Sequence, residues 1–332
     1  MTFNISRRKA FLPAILPSLA AIAAFLPVAA AHAQAWPTKA VRIVVPFAAG
    51  GPADALARFI AVKMAAELGQ PVVIDNKGGA GGVLGANEVI RSTDGYSLLF
   101  ASTGALVIVP AMAPNPNYNP ERDLVAIGQA VNTPSVAVVS SKSNFNKLSE
   151  LVAYAKANPG KLNFASAGSG TSTQLGTELL KRDAGIFMTH IPYRGAAPAT
   201  TDLIAGTADM MFADVPAVIS FIRGGQLKAL ALAAPTRSTA LPDVPTTAEA
   251  GFKTVISGTW YGLMGPAKMP PEVVAKVNAA LNKALQNPET ATFFRAQGVI
   301  AAGGTSQDFS KFIQAESKKW GGLVKSAGIK PD

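Results

Sequence analysis

One local pattern recurs along this chain and constrains its fold more than any other feature. A short apolar run is followed by a loop of glycine and small polar residues and then by residues with helical spacing, first over 41–68, then over 72–91 and again over 162–180. Loops of this kind join a strand to the helix that carries the chain back along a sheet. The pattern predicts an α/β fold in which mainly parallel strands are flanked by helices.

The pattern also places individual elements. Apolar runs predict strands over 41–47, 72–75, 96–101, 162–165, 188–192 and 210–212. Helices are expected over 52–68, after the glycine loop at 78–82, from 148 and after the polar loop at 166–173. Apolar stripes near the C-terminus predict two further helices with one face in the core. The stripes are Val273, Val277, Leu281 and Leu285, and then Phe309, Phe312, Ile313, Trp320 and Leu323.

Residues 1–33 are typical of a secretory signal peptide. Basic residues at 7–9 precede an apolar run from 11 to 30, and Ala31-His32-Ala33 forms a small-x-small cleavage site. We therefore expect export to the periplasm, with cleavage near Ala33/Gln34. A membrane anchor is disfavoured because three prolines interrupt the apolar run. After residue 33 no uninterrupted apolar stretch is long enough to span a membrane, so the mature chain is not expected to be membrane-inserted.

The export route stays open between the general secretory and the twin-arginine pathways. Ser6-Arg7-Arg8 is similar to the start of a twin-arginine signal, but Ala10 stands where that motif usually has phenylalanine.

Charge and cysteine content exclude several functions. The formal net charge is +10, of which Arg7, Arg8 and Lys9 supply three. The other basic residues are scattered without aromatic partners, which argues against a nucleic-acid groove. The chain has no cysteine, so it can form neither a disulfide nor a thiolate metal site. With only two histidines, we expect no metal and no cofactor.

The glycine loops favour an anionic ligand over a nucleotide. Glycine lets the backbone approach a ligand, and helix starts add a partial positive charge. Gly79-Ala80-Gly81 is followed by Leu84 where a dinucleotide fingerprint needs glycine. No phosphate-binding P-loop motif occurs either. Gly168-Ser169-Gly170 lacks the outer glycines of a hydrolase nucleophile elbow.

Three ionisable residues are candidates for a functional role. His190 is the only histidine after residue 33, so it is the one candidate for a histidine-assisted serine nucleophile, although its apolar neighbours favour a structural role. Asp54 and Asp214 stand at predicted helix starts, where capping is the usual role of an acid. For Asp214, a contact with a ligand amine or hydroxyl is the alternative.

Several loops, in their order along the chain, closely resemble the Bug family, the periplasmic receptors of tripartite tricarboxylate transporters. The resemblance extends from about Trp36 to the C-terminus. Its motifs are Pro46-Phe47-Ala48-Ala49-Gly50-Gly51-Pro52-Ala53-Asp54, Asn76-Lys77-Gly78-Gly79-Ala80-Gly81-Gly82, Asp94-Gly95-Tyr96, Ser169-Gly170-Thr171, Tyr193-Arg194-Gly195 and Trp260-Tyr261-Gly262-Leu263.

The resemblance implies a type II periplasmic-binding-protein fold with two lobes, each a mainly parallel sheet flanked by helices, and a ligand cleft between them. Lobe 1 would comprise 34–137 and 255–332, and lobe 2 would comprise 138–254, with hinge crossings near 134–140 and 250–258. The ligand carboxylate would be held mainly by backbone amides and ordered water. The implied ligand-binding residues are Phe47, Gly50, Gly51, Ala53, Asp54, Ser102, Thr103, Ala167, Ser169, Gly170, Thr171, Ser172, Tyr193, Arg194, Gly195, Ala196 and Asp214.

The implied function is capture of a small carboxylate by a monomeric, non-enzymatic receptor that delivers it to a membrane transporter. Two alternatives remain at this point. A sensory protein of the same fold would present its closed form to a different partner, and a serine hydrolase would use His190. The ligand itself stays open between a dicarboxylate, a tricarboxylate, an aromatic acid and an acidic amino acid.

Overall fold

The structure is a computed structural model that describes residues 1–3, 36–112 and 119–327. The predicted signal peptide, with its cleavage site near Ala33/Gln34, lies outside the described residues. The chain divides into two units, Met1–Ala35 and Trp36–Asp332, and the fold described here is that of the second unit.

Strands and helices alternate through most of this unit. The first part contains β1 (Val41–Val45), α1 (Pro52–Leu68), β2 (Val72–Asn76), α2 (Val83–Ile90), β3 (Ser97–Ser102), α3 (Val109–Met112), α4 (Pro120–Asp123) and β4 (Leu124–Ser140). The middle part contains α5 (Leu148–Ala157), β5 (Asn163–Ser166), α6 (Ser172–Ala184), β6 (Thr189–Pro192), α7 (Ala196–Ala205), β7 (Met210–Asp214), α8 (Val215–Arg223) and β8 (Leu227–Leu232). The last part contains β9 (Gly258–Pro266), α9 (Pro271–Gln286), α10 (Pro288–Gln297), β10 (Ile300–Ala301) and α11 (Ser306–Ala327).

The six predicted strands are confirmed as β1, β2, β3, β5, β6 and β7, and the two C-terminal stripes lie on α9 and α11. Helix α1 shows why the local sequence was informative. Pro52 occupies its first turn, where no backbone N–H is needed, and Gly69 ends it with a left-handed φ of 68°. No helix in the described ranges is long and apolar enough to cross a bilayer.

Two groups of three parallel strands are joined by longer antiparallel strands. Strands β2, β1 and β3 are parallel neighbours, as are β6, β5 and β7. Strand β9 lies antiparallel to β3, and β4 lies antiparallel to β7, β8, β9 and β10. The predicted parallel strands therefore form only part of each sheet. The apolar pattern gave no signal for β4 and β9.

Strand β4 belongs to both sheets. It pairs with β9 from Leu124 to Pro134, and from Ser135 onward it pairs with β7 and β8. The change of partner lies between Pro134 and Ser135, beside the start of β9 at Gly258. The lobe boundaries at 137/138 and 254/255 stay a prediction.

Each sheet packs its helices around an apolar core. In the first sheet, Ile43 of β1 and Leu56, Ile60 and Met64 of α1 are at most 1% exposed, and α9 covers the same core with Val277. Each such side chain contributes about 1.5–3 kcal/mol to folding. This packing fixes the strand ends and the loops that follow them.

Candidate functional site

Four helices begin with N–H groups that no capping side chain satisfies. The N-cap residues are Gly51 for α1, Thr171 for α6, Gly195 for α7 and Asp214 for α8, and none of them makes a side-chain capping hydrogen bond. The first N–H groups of a helix carry its partial positive charge. All four N-cap residues line one cavity, which we call the inner cleft.

The inner cleft lies between the two sheets and has a volume of about 50 Å³. Its lining comes from the loops after β1, β3, β5, β6 and β7 and from β9. The lining residues are Phe47, Ala48, Ala49, Gly51, Pro52, Ala53, Ser102, Gly104, Ala167, Thr171, Ser172, Thr173, Gly195, Ala196, Ala197, Pro198, Asp214, Thr259 and Tyr261. The lining contains ten of the predicted site residues, namely Phe47, Gly51, Ala53, Ser102, Ala167, Thr171, Ser172, Gly195, Ala196 and Asp214.

A wider space of about 810 Å³, which we call the outer cleft, adjoins the inner cleft. Both are lined by Phe47, Ala48, Ala167 and Gly195, so the two spaces are neighbours. The outer cleft contains three further predicted site residues, which are Ser169, Tyr193 and Arg194.

Four predicted site residues, Gly50, Asp54, Thr103 and Gly170, line neither cleft. Gly50 is exposed, whereas the other three are buried. Their contacts hold the loops in place. Thr103 Oγ1 accepts from the Trp260 backbone N–H at 3.0 Å, and the Gly170 N–H donates to Gln174 Oε1 at 2.9 Å. Thr103 and Gly170 thus support the loops that form the cleft.

Asp54 fixes the loop that leads into α1. One carboxylate oxygen accepts from the Gly50 N–H at 2.9 Å and from Arg58 Nε at 3.0 Å, and the other accepts from Asn76 Nδ2 at 3.0 Å. Burial acts to raise the pKa of Asp54, but these hydrogen bonds outweigh it and hold the pKa below its usual value. The carboxylate is thus occupied by protein groups.

Glycines allow loops from the two sheets to touch across the cleft. A Cβ atom on Gly104 would lie 2.9 Å from the carbonyl oxygen of Gly170, and one on Gly81 would lie 3.2 Å from that of Ser169. Both distances are shorter than ordinary van der Waals contacts. The observed arrangement therefore has no room for a side chain at Gly104.

The Asp214 side chain links the end of β7 to β4 and β9 through hydrogen bonds. Its Oδ1 atom accepts from Thr259 Oγ1 at 2.9 Å and from Ser135 Oγ at 3.3 Å. Burial raises the pKa of Asp214 to about 6, although hydrogen bonds from Thr259, Ser135 and Thr133 act to lower it. The side chain does not cap α8, contrary to the usual role of an acid at this position.

Ser102 lines the inner cleft and has a buried hydroxyl. The residue is 1% exposed, and its Oγ has no hydrogen-bond partner among the described residues. Leaving a buried hydroxyl unpaired costs about 1–3 kcal/mol. This atom is suited to donate to a ligand in the inner cleft.

Nine lining residues were not among the predicted site residues, namely Ala48, Ala49, Pro52, Gly104, Thr173, Ala197, Pro198, Thr259 and Tyr261. Thr259 and Tyr261 lie on β9, whose strand pattern was not recognised. The motif Trp260-Tyr261-Gly262-Leu263 was a signal for Tyr261, because it supports the family resemblance.

The structure brings His190 next to a serine, but outside the cleft. His190 Nε2 lies 2.6 Å from Ser166 Oγ, and Gln174 Nε2 lies 3.3 Å from His190 Nδ1. Ser166 is fully buried and also accepts from the Gly168 N–H. Neither Ser166 nor His190 lines the inner or the outer cleft. The pair supports the loop after β5 from behind.

Residues 56–329 match TctC, the tripartite tricarboxylate transporter family receptor. The periplasmic binding protein BugD is 34% identical, with a TM-score of 0.84 over 90% of this chain and 100% of that chain.

Two similar structures hold ligands. Rpa4515 of R. palustris with adipate is 30% identical, with a TM-score of 0.86 over 90% of this chain and 100% of that chain. MatC (Rpa3494) from Rhodopseudomonas palustris with bound malate is 33% identical, with a TM-score of 0.82 over 87% of this chain and 99% of that chain.

These matches cover nearly the whole described unit, and they confirm the predicted periplasmic-binding-protein fold and the resemblance to the Bug receptors. The chain belongs to the TctC family, the receptors of tripartite tricarboxylate transporters.

Proposed function

We propose that this protein captures a small organic acid in the inner cleft and delivers it to the membrane subunits of a tripartite transporter. The observation that carries the proposal is the convergence of four uncapped helix N-termini on one cleft between two sheets. Backbone N–H groups at helix starts bind carboxylates without any basic side chain. The malate bound to MatC and the adipate bound to Rpa4515 support a dicarboxylate as the ligand.

The energy available from such a site is sufficient. Each hydrogen bond to a charged group contributes about 1.5–3 kcal/mol, and a micromolar complex needs only about 8 kcal/mol net. The carboxylate would meet N–H groups of α1 from one side and of α6 and α7 from the other, with the Ser102 hydroxyl as a further donor. Contacts with both lobes would favour the closed form over the open one.

Closure requires a hinge, for which we propose the crossings near 134–140 and 250–258. Lobe 1 would then consist of 34–137 and 255–332, and lobe 2 of 138–254. The change of β4 partner beside Gly258 supports this division. The outer cleft would be the entry path, with the exposed Arg194 attracting the anion.

The wider assignment follows from family membership. We propose export through the signal peptide at 1–33, cleavage near Ala33/Gln34, and a monomer that works in the periplasm without catalysis or cofactor. A sensory role would use the same cleft and differ only in the partner that recognises the closed form. The hydrolase alternative has less support, because the pair of Ser166 and His190 lies outside both clefts.

Ligand screening tests the proposal. The chain from Gln34 is heated with mono-, di- and tricarboxylates, aromatic acids and acidic amino acids, each paired with its uncharged amide as a control. At a concentration of about 100 Kd, the true ligand stabilises the protein by about 2.7 kcal/mol and raises its melting temperature, whereas the amide does not. Small-angle scattering with that ligand should show a smaller radius of gyration.

Two results would contradict the proposal. One is the absence of a thermal shift with every carboxylate in the screen. The other is turnover of an ester or amide that disappears in His190→Ala, which would restore the hydrolase alternative.

A further inference from the structure

The inner cleft combines an anion site with a buried acid. No lysine, arginine, histidine or glutamate occurs among the described residues that line it, and Asp214 is the one lining carboxyl group. A dicarboxylate held there would share a small enclosed space with the Asp214 carboxylate. Like charges in such a space do not both stay ionised, because neither is well solvated.

We propose that an anionic ligand enters the inner cleft together with one proton, which Asp214 takes up. The step is a simple protonation: a proton from solvent binds a carboxylate oxygen of Asp214, and the resulting hydroxyl becomes a donor to the ligand or to a neighbouring oxygen. No other bond forms or breaks. The inference rests on the proposed function, since it assumes that the ligand is a carboxylate.

The side chains that face Asp214 do not provide a compensating positive charge. From β4 it meets the hydroxyls of Ser135 and Thr133, and from β9 those of Thr259 and Tyr261. Burial and the nearby Asp214 charge raise the pKa of Tyr261 well above its usual value, so it stays neutral. From α6, Ser172 Oγ hydrogen-bonds to Thr259 Oγ1.

The charged residues on the helices packed against β7 are engaged elsewhere. On these helices, Glu178 pairs with Lys181, Asp183 accepts from Thr254, Asp202 accepts from Tyr193, Arg182 donates to Ser326, and Arg223 donates to the carbonyl of Ala240. Of these groups, Asp214 is the one that lines the inner cleft.

The direction of the pH dependence follows from linkage. In the free protein the pKa of Asp214 is raised to about 6, so the side chain is mostly ionised above that pH. A bound anion raises the pKa of Asp214 further, so ligand binding is accompanied by proton uptake above about pH 6. Below about pH 6 Asp214 is already mostly protonated, so binding takes up little. Affinity should therefore fall with rising pH by up to about tenfold per pH unit above about pH 6.

Calorimetry tests this on the unmodified mature chain. Malate, or the dicarboxylate that gives the largest shift in the screen above, is titrated from about pH 5.5 to about pH 8.5, in two buffers with different ionisation enthalpies. We expect the tenfold slope and an uptake of about one proton per ligand at about pH 7.5. A flat affinity with no proton uptake would overturn the inference.

Two matched variants show whether Asp214 is the residue that takes up the proton. Asp214→Asn retains an oxygen that can accept from Ser135 and Thr259 and should bind with nearly the same affinity at every pH. Asp209→Asn, just before the start of the same strand and bonded to Asn163 outside the cleft, should keep the wild-type slope. A slope that persists in Asp214→Asn would place the proton elsewhere and overturn the assignment.

The two proposals can fail separately. If no carboxylate binds at about pH 6, the proposed function itself fails. If a carboxylate binds there without proton uptake at higher pH, only the present inference fails. Tight, pH-independent binding of aspartate with no binding of malate would also overturn it, because a ligand ammonium would then balance Asp214. If Asp214→Asn does not fold, the two-buffer measurement on the unmodified chain still decides.

Discussion

Two cavities border strand β9, and they differ in how they present charge. The inner cleft is lined mainly by small neutral residues and helix N-termini, and Asp214 is its one carboxyl group among the described lining residues. The second cavity, which we call the back groove, has a volume of about 720 Å³. Its lining includes Arg237, Arg295, Lys319 and Glu316. Thr259 lines both cavities, so β9 forms part of the wall between them.

The difference implies that the proposed anion site is not marked by basic side chains. Glu316 in the back groove accepts from the indole N–H groups of Trp260 and Trp320 and lies 3.6 Å from Lys319. Arg237 pairs with Glu249. The side chains there serve packing and surface ion pairs, whereas the cleft offers fixed N–H groups that do not have to be ordered when a ligand binds.

The largest effect is expected from a substitution that prevents the inner cleft from closing. Gly104→Ala places a Cβ 2.9 Å from the Gly170 carbonyl oxygen. Overpacking of this kind costs about 1–3 kcal/mol, so affinity for the carboxylate should fall by about tenfold to a hundredfold in calorimetry. Gly322→Ala on α11 has open space and serves as the control, with unchanged affinity. Equal affinities in the two variants would mean that loop contact is unnecessary.

A smaller effect is expected from removing one donor in the cleft. Ser102→Ala deletes the buried hydroxyl without a partner, so affinity should fall by about tenfold, which corresponds to about 1.4 kcal/mol, while the unliganded protein unfolds no more readily. The control is Thr177→Val, which removes the other such hydroxyl among the described residues, outside the cleft lining. An affinity loss in both variants would show a general structural effect instead of a ligand contact.

The smallest effects concern the exposed cations. Arg194→Ala at the outer cleft should slow association about two- to fivefold at low salt and leave dissociation almost unchanged, because an exposed charge acts through steering. Arg295→Ala in the back groove should change neither rate. Stopped-flow measurements at two ionic strengths separate these outcomes, and a larger effect from Arg295 would reverse the comparison.

Sequence patterns predicted the parts of the fold that depend on local chemistry. Apolar runs followed by glycine loops were sufficient for β1 and β5 and for the helices that follow them. Strands β4 and β9 were missed because their signal depends on partners distant in sequence, such as the pairing of Pro134 with Gly258. A strand buried on both faces shows no alternation of apolar and polar residues.

The candidate site shows the same difference between local signals and contacts distant in sequence. Gly51, Thr171 and Gly195 were identified through the family resemblance, which rests on local loop motifs. The direction in which a side chain points is not local. Asp214 stands at a helix start in sequence, yet its carboxylate bonds to hydroxyls on β4 and β9. Only tertiary structure distinguishes a cap from a link between strands.

The membership of β4 in both sheets also affects how the protein unfolds. Its 17 residues supply a hydrogen-bonding partner to four other strands, two of which pair with it beyond Pro134. Detaching this strand from one sheet would therefore expose the edge of the other. The mature receptor should lose its native structure in a single cooperative transition, and hydrogen exchange at Ile127 and Val138 should report the same opening free energy.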